Sequence, residues 1–137
     1  LGSILERSFI QCLKIKSCGR HYVSPRSWRI RLQDMLKAID EAAAIVSHSE
    51  FESFKKDRAA VLASLTCIHI LGEASNHIPQ EVKQKYPEVP WSQIRGMRNR
   101  IAHEYFEIDE NIVWATCKID FPKLRVLLVK VLDSSHE

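Results

Sequence analysis

From Pro25 onward, apolar residues recur at spacings of three and four along most of the chain, and strand-like alternation is nearly absent. Such spacing places the apolar side chains on one face of an α-helix. The first stretch begins at Pro25, where Ser24 is a suitable N-cap, and fades near His48. The pattern predicts an all-α fold whose first helix is amphipathic, with a stripe formed by Trp28, Leu32, Met35, Leu36, Ile39 and Ala43.

The middle of the chain predicts a central helix flanked by short ones. The stretch "SEFESFKKD" predicts a short helix capped by Ser49, and Asp57 is suited to cap the helix that follows. That helix is apolar on nearly every side until Glu73, which is typical of a helix running through the middle of a bundle. Prolines then punctuate the chain, and "QEVKQKY" predicts a short helix between Pro79 and Pro87.

Two further helices complete the predicted bundle. One begins near Trp91 or Ser92 and carries an apolar stripe formed by Ile94, Met97, Ile101 and Ala102. The other is capped by Asp109 and remains apolar on one side as far as Val131, with Pro122 inside the pattern. A proline in a helix interior removes a backbone hydrogen bond, so we expect a kink at Pro122 rather than two separate helices. The bundle should contain four to five helices.

The chain length is typical of a single domain. Of its 137 residues, we expect 25–137 to form that domain and 1–24 to be an N-terminal extension outside the fold. Residues 1–31 contain seven Lys and Arg against one Glu, whereas the whole chain carries a net charge of only +3. The rest of the chain is therefore slightly acidic, and overall charge is weak evidence for nucleic-acid binding.

Composition points to a soluble cytoplasmic protein. No apolar run approaches the roughly 20 residues of a membrane span. The four cysteines form no C-x-x-C pair, so we expect reduced thiols. No His and Cys spacing supplies three or four metal ligands, and the four glycines form no phosphate-binding loop. We therefore expect neither a metal site nor a cofactor. His69, inside the apolar helix, is most simply a core histidine.

The stretch "RNRIAHEYF" concentrates polar chemistry between residues 98 and 106. On a helix that turns about 100° per residue, Arg98 and Tyr105 lie on nearly the same side, whereas His103 lies about 140° from Arg98. Either the helix bends near His103, or groups from elsewhere complete a site. Spacing alone favours the plainer interpretation, in which a solvated arginine, a satisfied histidine and a core aromatic have no shared function.

The residue types nevertheless suit one reaction. Cleaving RNA without a metal requires a base for the ribose 2′-hydroxyl, an acid for the leaving oxygen and a cation for the charge on the phosphoryl oxygens. Imidazole serves as acid or base near neutral pH, and the planar arginine side chain binds phosphate oxygens in pairs. One chain offers only His103 in this stretch. A symmetric dimer would supply two copies of it across the twofold axis.

The motif "RNRIAHEY" resembles the R-x4-6-H-x-Y signature of the HEPN superfamily, with Arg98, Asn99, His103 and Tyr105 on its pattern. Residues 71–114, "LGEASNHIPQEVKQKYPEVPWSQIRGMRNRIAHEYFEIDENIVW", resemble the HepT-like toxins, formerly called the DUF86 group. The likeness extends from about Trp28 to Leu128. Several separated motifs occur in the right order, so the resemblance is specific.

This resemblance implies a HEPN-type helical bundle, a homodimer and a metal-independent endoribonuclease with its cleft between the subunits. His103 would be the catalytic acid and base, Arg98 would stabilise the phosphoryl group and Asn99 would orient or polarise. The products would end in 2′,3′-cyclic phosphate. The family also implies a toxin–antitoxin pair in which a minimal nucleotidyltransferase antitoxin transfers AMP to Tyr105.

Other residues have weaker assignments. Arg95 and Arg100 flank the motif as possible RNA contacts, although solvated helix charges are an equally good interpretation. The stretch Gly72 to Asn76, which ends the central helix with Glu73, is a further candidate to line the cleft. The alternative function is a non-catalytic helical partner of a minimal nucleotidyltransferase, in which Tyr105 is only the acceptor. The intact Arg98 and His103 favour the nuclease.

Overall fold

The computed structural model describes residues 25–134. Residues 1–24 and 135–137 lie outside the described residues, and with them the predicted extension and the Ser24 cap. The side chains of residues 25–27 and of Tyr105 are likewise outside the description. Among the described residues, every element of regular structure is helical, which confirms the all-α prediction. None of these helices is both long enough and apolar enough to cross a membrane.

The helices are numbered here in chain order. They are α1 (Pro25–Ser47), α2 (Phe51–Lys56), α3 (Arg58–Asn76), α4 (Gln80–Lys85), α5 (Trp91–His103), α6 (Glu110–Ala115) and α7 (Phe121–Ser134). A 3-10 turn, Tyr105–Glu107, follows α5, and a π-helical segment, Thr116–Asp120, joins α6 to α7. The bundle is thus made by α1, α3, α5 and the continuous run from α6 to α7, with α2 and α4 as short additions.

Helix α3 lies at the centre of the bundle. It packs against α1 on one side and α5 on another, while α2 and α6 also touch it. Helix α1 is covered a second time by α7. Apolar residues on several sides of α3 are buried, as the sequence predicts for a central helix: Val61, Leu65, Cys67, Ile68 and Leu71. His69 is only half-buried and lines a groove between α1 and α3, so it is not a core residue.

Two of the predicted helix caps are confirmed. Asp57 accepts a hydrogen bond from the backbone N–H of Ala60 at 3.2 Å, and Asp109 accepts one from Asn111 at 2.8 Å. The predicted Ser49 cap is wrong. Helix α2 starts at Phe51, so the N-cap position falls on Glu50, whose side chain makes no capping hydrogen bond.

The last helical run passes Pro122 without a break. Thr116 and Phe121, at the two junctions, both have right-handed helical backbone angles. The irregularity lies just before the proline, as the π-helical segment Thr116–Asp120. A proline ring in a helix crowds the carbonyl four residues earlier, here that of Lys118, and a wider π turn at that point gives the ring space. The predicted continuity is confirmed, and the π turn accommodates Pro122; the kink expected there stays a prediction.

Candidate functional site

Helix α5 has one buried edge and a broad exposed surface. Ile94 and Ile101 are 7% exposed and pack into the core beside α3. His103 comes nine residues after Ile94, which on an α-helix is half a turn beyond two full turns. It therefore projects from the side of α5 opposite the core. Asn99, one turn before it on the same side, is also exposed.

Arg98 lies at the border between these two surfaces. Its Nε and Nη2 both contact Oε1 of Glu73 on α3, and the side chains are 29% and 38% exposed. Its Nη1 donates a hydrogen bond to Oδ1 of Asn99 at 2.9 Å. Of the five N–H donors of the guanidinium, these contacts use three. One donor on each terminal nitrogen remains available for the paired binding of a phosphate.

A close approach of α3 and α5 makes this pairing possible. Gly72 immediately precedes Glu73, and a Cβ built on it would lie 2.7 Å from Cγ of Arg98 and closer still to its Cβ. A side chain at position 72 would therefore push Arg98 away. The aliphatic part of Arg98 packs directly on the backbone of Gly72, and its charged end is held by the next residue along α3.

The motif residues after Arg98 separate at the end of α5. The helix remains intact through His103 and stops there, and Glu104 leaves it with φ −120° and ψ 29°. Tyr105 then begins the 3-10 turn, so the prediction that Arg98 and Tyr105 share one side of a helix is wrong. The predicted angle of about 140° around the helix between Arg98 and His103 is retained, because α5 includes both residues. The sequence raised two possibilities, a bend near His103 or a site completed by groups from elsewhere. Helix α5 is continuous as far as His103, and Glu73 of α3 is a group from elsewhere that contacts Arg98.

The two flanking arginines have different surroundings. Arg100 donates from Nε to Oε2 of Glu104 at 3.0 Å, and both side chains are more than half exposed. Such an exposed pair contributes little to stability, and it leaves Arg100 partly neutralised. Arg95 forms no ion pair with any described carboxylate and lines a polar pocket beside α4. Lys83, on the facing side of that pocket, was not singled out by the sequence.

The pairing of Glu73 with Arg98 was also missed. The sequence offered the stretch Gly72 to Asn76 as a cleft lining and gave Glu73 no partner, because 25 residues separate it from Arg98. A signal exists in the order of residues: a glycine followed by a carboxylate at the polar end of an otherwise apolar helix. That order permits a close helix crossing with a charge beside it. Which helix would cross there does not follow from local spacing.

Within residues 25–134, His, Cys, Asp and Glu side chains form no cluster of three that could hold a metal ion. The described groups instead combine a cation fixed by a carboxylate with an exposed imidazole on the other side of the same helix. An arginine so held can bind an anion, and an exposed imidazole can transfer protons, but one chain keeps the two groups on different sides of α5. An all-α bundle with an arginine and a histidine so placed on one helix has the features that the sequence associated with HEPN proteins.

Comparison with known proteins agrees with this class. The HepT-like ribonuclease family model matches residues 35–131. A protein of Methanocaldococcus jannaschii, provisionally named an RNase, is 32% identical over 101 residues, covering 74% of this chain and 84% of its own. A Thermococcus cleftensis protein, provisionally named ribonuclease HepT, is 35% identical over 100 residues, covering 73% and 91%. No solved structure matches the chain. The chain belongs to the HepT-like ribonuclease family.

Proposed function

We propose that the protein is an endoribonuclease that cleaves RNA without a metal ion, at a site completed by two copies of the chain. The observation that carries this proposal is the opposed placement of two groups on α5. Arg98 is anchored toward the core by Glu73, whereas His103 projects from the exposed side. Membership of the HepT-like ribonuclease family supports RNA as the substrate.

The reaction needs only groups that the two chains supply. One His103 accepts the proton of the ribose 2′-hydroxyl as that oxygen attacks the adjacent phosphorus. The bond from phosphorus to the 5′ oxygen breaks, and the second His103 gives that oxygen a proton. The products are a 2′,3′-cyclic phosphate and a 5′-hydroxyl. The free donors of Arg98 stabilise the charge on the phosphoryl oxygens, and Asn99 orients Arg98 through its hydrogen bond.

The exposed side of α5 also supports a homodimer. Ser92, Gly96, Asn99 and His103 follow one another along it at helical spacing. A Cβ built on Gly96 would meet nothing within 4 Å, so the helix backbone is open to close approach there. A second α5 packed on this side by twofold symmetry would bring the two His103 residues into one cleft.

Cleavage assays on the purified protein in EDTA test this proposal. Replacing His103 with Ala should lower the rate of RNA cleavage by about 10²–10⁴-fold, and Arg98→Ala by about 10²–10³-fold. His48→Ala, which removes an exposed histidine just after α1, is the matched control and should leave the rate unchanged. Wild-type protein that cuts RNA no faster than His103→Ala would refute the nuclease.

A mixing experiment tests whether two chains share the site. When excess His103→Ala protein is exchanged into wild-type protein, each mixed dimer contains only one His103 and should be nearly inactive. Activity should then fall in proportion to the remaining wild-type homodimers. If activity instead follows the total amount of wild-type chain, each chain works alone and the shared site is wrong.

We further propose that the protein is the toxin of a toxin–antitoxin pair and that a minimal nucleotidyltransferase antitoxin silences it by transferring AMP to Tyr105. Tyr105 begins the turn directly after α5, two residues beyond His103, so an adenylate attached there would add bulk and negative charge beside the cleft. Incubation with the antitoxin and ATP should add AMP to wild type and abolish cleavage. Tyr105→Phe should gain no AMP and escape this inhibition; modification of Tyr105→Phe would rule out this site.

A further inference from the structure

A polar pocket of about 370 Å³ lies between α4 and the first half of α5. Lys83 of α4 and Arg95 of α5 both line it, with Gln80, Gln84, Ser92 and Gln93 as further polar groups. No carboxylate lines the pocket, although Glu81 and Glu88 belong to the same segment of the chain. Two cations therefore face one cavity without a neutralising partner in its wall.

Several other cations of the described structure have carboxylate partners. In the groove between α1 and α3, Arg31 lies 3.1 Å from Asp34, and Lys37 lies 4.0 Å from Glu41. On α5 itself, both Arg98 and Arg100 have carboxylate partners. The Lys83 and Arg95 pocket differs from these sites because two cations line it and no carboxylate does, so its positive charge is left for an external anion.

The packing of Lys83 keeps it beside Arg95. Lys83 Nζ lies 5.9 Å from the centre of the Trp91 ring, and that ring is fixed by a hydrogen bond of 3.0 Å from its Nε1 to the carbonyl oxygen of Tyr86. Burial, together with the charge of Arg95, lowers the pKa of Lys83. Holding two like charges together in this way costs free energy, and an anion bound between them relieves that cost.

The position of the pocket relates it to the cleavage site. Arg95 precedes Asn99 by four residues and so lies on the adjoining turn of the same helix. Along the helix axis, Arg95 and His103 are about 12 Å apart at 1.5 Å per residue. A single RNA strand whose scissile phosphate lies beside His103 therefore reaches the pocket within a few nucleotides.

We propose that Lys83 and Arg95 together clamp one phosphate of the RNA strand, a short distance from the phosphate that is cleaved. This subsite rests on the proposed ribonuclease function for its ligand. It assigns Lys83 and the α4 side of the pocket to substrate binding, and it predicts that the two cations act on the same phosphate. Glutamine and serine side chains around them can donate further hydrogen bonds to its oxygens.

Binding is best measured with an RNA oligonucleotide whose 2′-hydroxyls are all methylated, since attack by the 2′ oxygen is then blocked. Lys83→Gln and Arg95→Gln should each weaken binding by about tenfold, the loss expected for a charge-assisted hydrogen bond. The slope of log affinity against log salt should fall by about 0.7 in the double variant, the value for one phosphate contact on a single strand, and by no more than this in either single variant. A fall of about twice this value in the double variant would show that the two cations hold separate phosphates.

Lys85→Gln is the matched control, since it removes the same charge from the same helix at a side chain outside the pocket. It should bind the oligonucleotide like wild type. Equal affinities for wild type, Lys83→Gln and Arg95→Gln would overturn the subsite, as would an unchanged salt slope in the double variant. Competition by inorganic phosphate that persists in the double variant would also count against it.

This test separates the two proposals. If unmodified RNA is left intact by wild type, the ribonuclease proposal fails while the binding series still decides the subsite. If RNA is cut but the Lys83 and Arg95 variants bind normally, the subsite alone is wrong. Melting temperatures of the variants within a few degrees of wild type would show that folding is not the cause of any loss.

Discussion

Helices α1 and α5 both pack on α3, but they use their surfaces differently. Helix α1 is 23 residues long and lies between α3 and α7, with Leu32, Met35, Ala38, Ile39, Ala42 and Val46 buried. Helix α5 has 13 residues, of which only Ile94 and Ile101 are buried. Its remaining surface carries the candidate catalytic and RNA-binding groups. Stability and chemistry are thus largely assigned to different helices, and substitutions in each should affect different measurements.

The largest change in stability is expected on the buried side of α1. Leu32 is fully buried, so Leu32→Ala should lower the free energy of unfolding by about 2–5 kcal/mol, from lost burial and the cavity left behind. Ile30→Ala, on the same helix at a side chain 54% exposed, should change it by no more than about 0.5 kcal/mol. Urea unfolding measures both. Similar losses in the two variants would contradict the burial difference along α1.

The contact between α3 and α5 should respond next. Gly72→Ala puts a methyl group against Arg98, so we expect overpacking to cost about 1–3 kcal/mol of stability and RNA cleavage to fall as Arg98 is displaced. Within one chain, Gly96→Ala places its methyl in open space on the other side of α5, so it should stabilise the folded monomer by up to about 1 kcal/mol through helix propensity. The same methyl should weaken the proposed packing of a second α5, so both variants are compared at concentrations where the protein is monomeric. If Gly72→Ala and Gly96→Ala changed the free energy of unfolding equally, α3 and α5 would not be in close contact at Gly72.

The same two helices show what the sequence could and could not predict. The apolar stripe of α1 and the cap at Asp57 are local patterns with a period of 3.6 residues or a fixed offset, and both were predicted correctly. The motif on α5 was also recognisable. The sequence did not predict that Glu73 pairs with Arg98 or that Lys83 lies in the same pocket as Arg95. In each case the second residue lies on another helix, and its proximity depends on how the helices cross. The end of α5 at His103 was missed because the motif continues past it.

A smaller effect is expected at the start of α3, the helix on which both α1 and α5 rely. Asp57→Ala removes the side-chain acceptor for the N–H of Ala60, so stability should fall by about 1 kcal/mol. Glu50→Ala is the matched control, because Glu50 occupies the N-cap position of α2 without a capping hydrogen bond. Chemical denaturation of both variants gives the comparison. A loss at Glu50 as large as that at Asp57 would show that the capping bond contributes nothing.

The least visible effect near neutral pH concerns Cys117, in the π-helical segment on the core side of the bundle. Burial raises the pKa of this thiol to about 12, and the nearby Cys67 adds to the rise. Below the ordinary value of 9.0 both folded and unfolded chains keep the proton, so stability is unaffected. Between these two values only the unfolded chain releases it, so stability should decline as the pH rises through that window.

Unfolding measured at about pH 8 and again about two units higher should therefore show a larger loss for wild type than for Cys117→Ala, which has no thiol to ionise there. Iodoacetamide should leave Cys117 unmodified in the folded protein near pH 8 and label it after denaturation, because the reactive thiolate is suppressed inside the core. Rapid labelling of the folded chain would place Cys117 at an accessible surface. The buried core that α1 packs on would then be as accessible to solvent as the exposed side of α5.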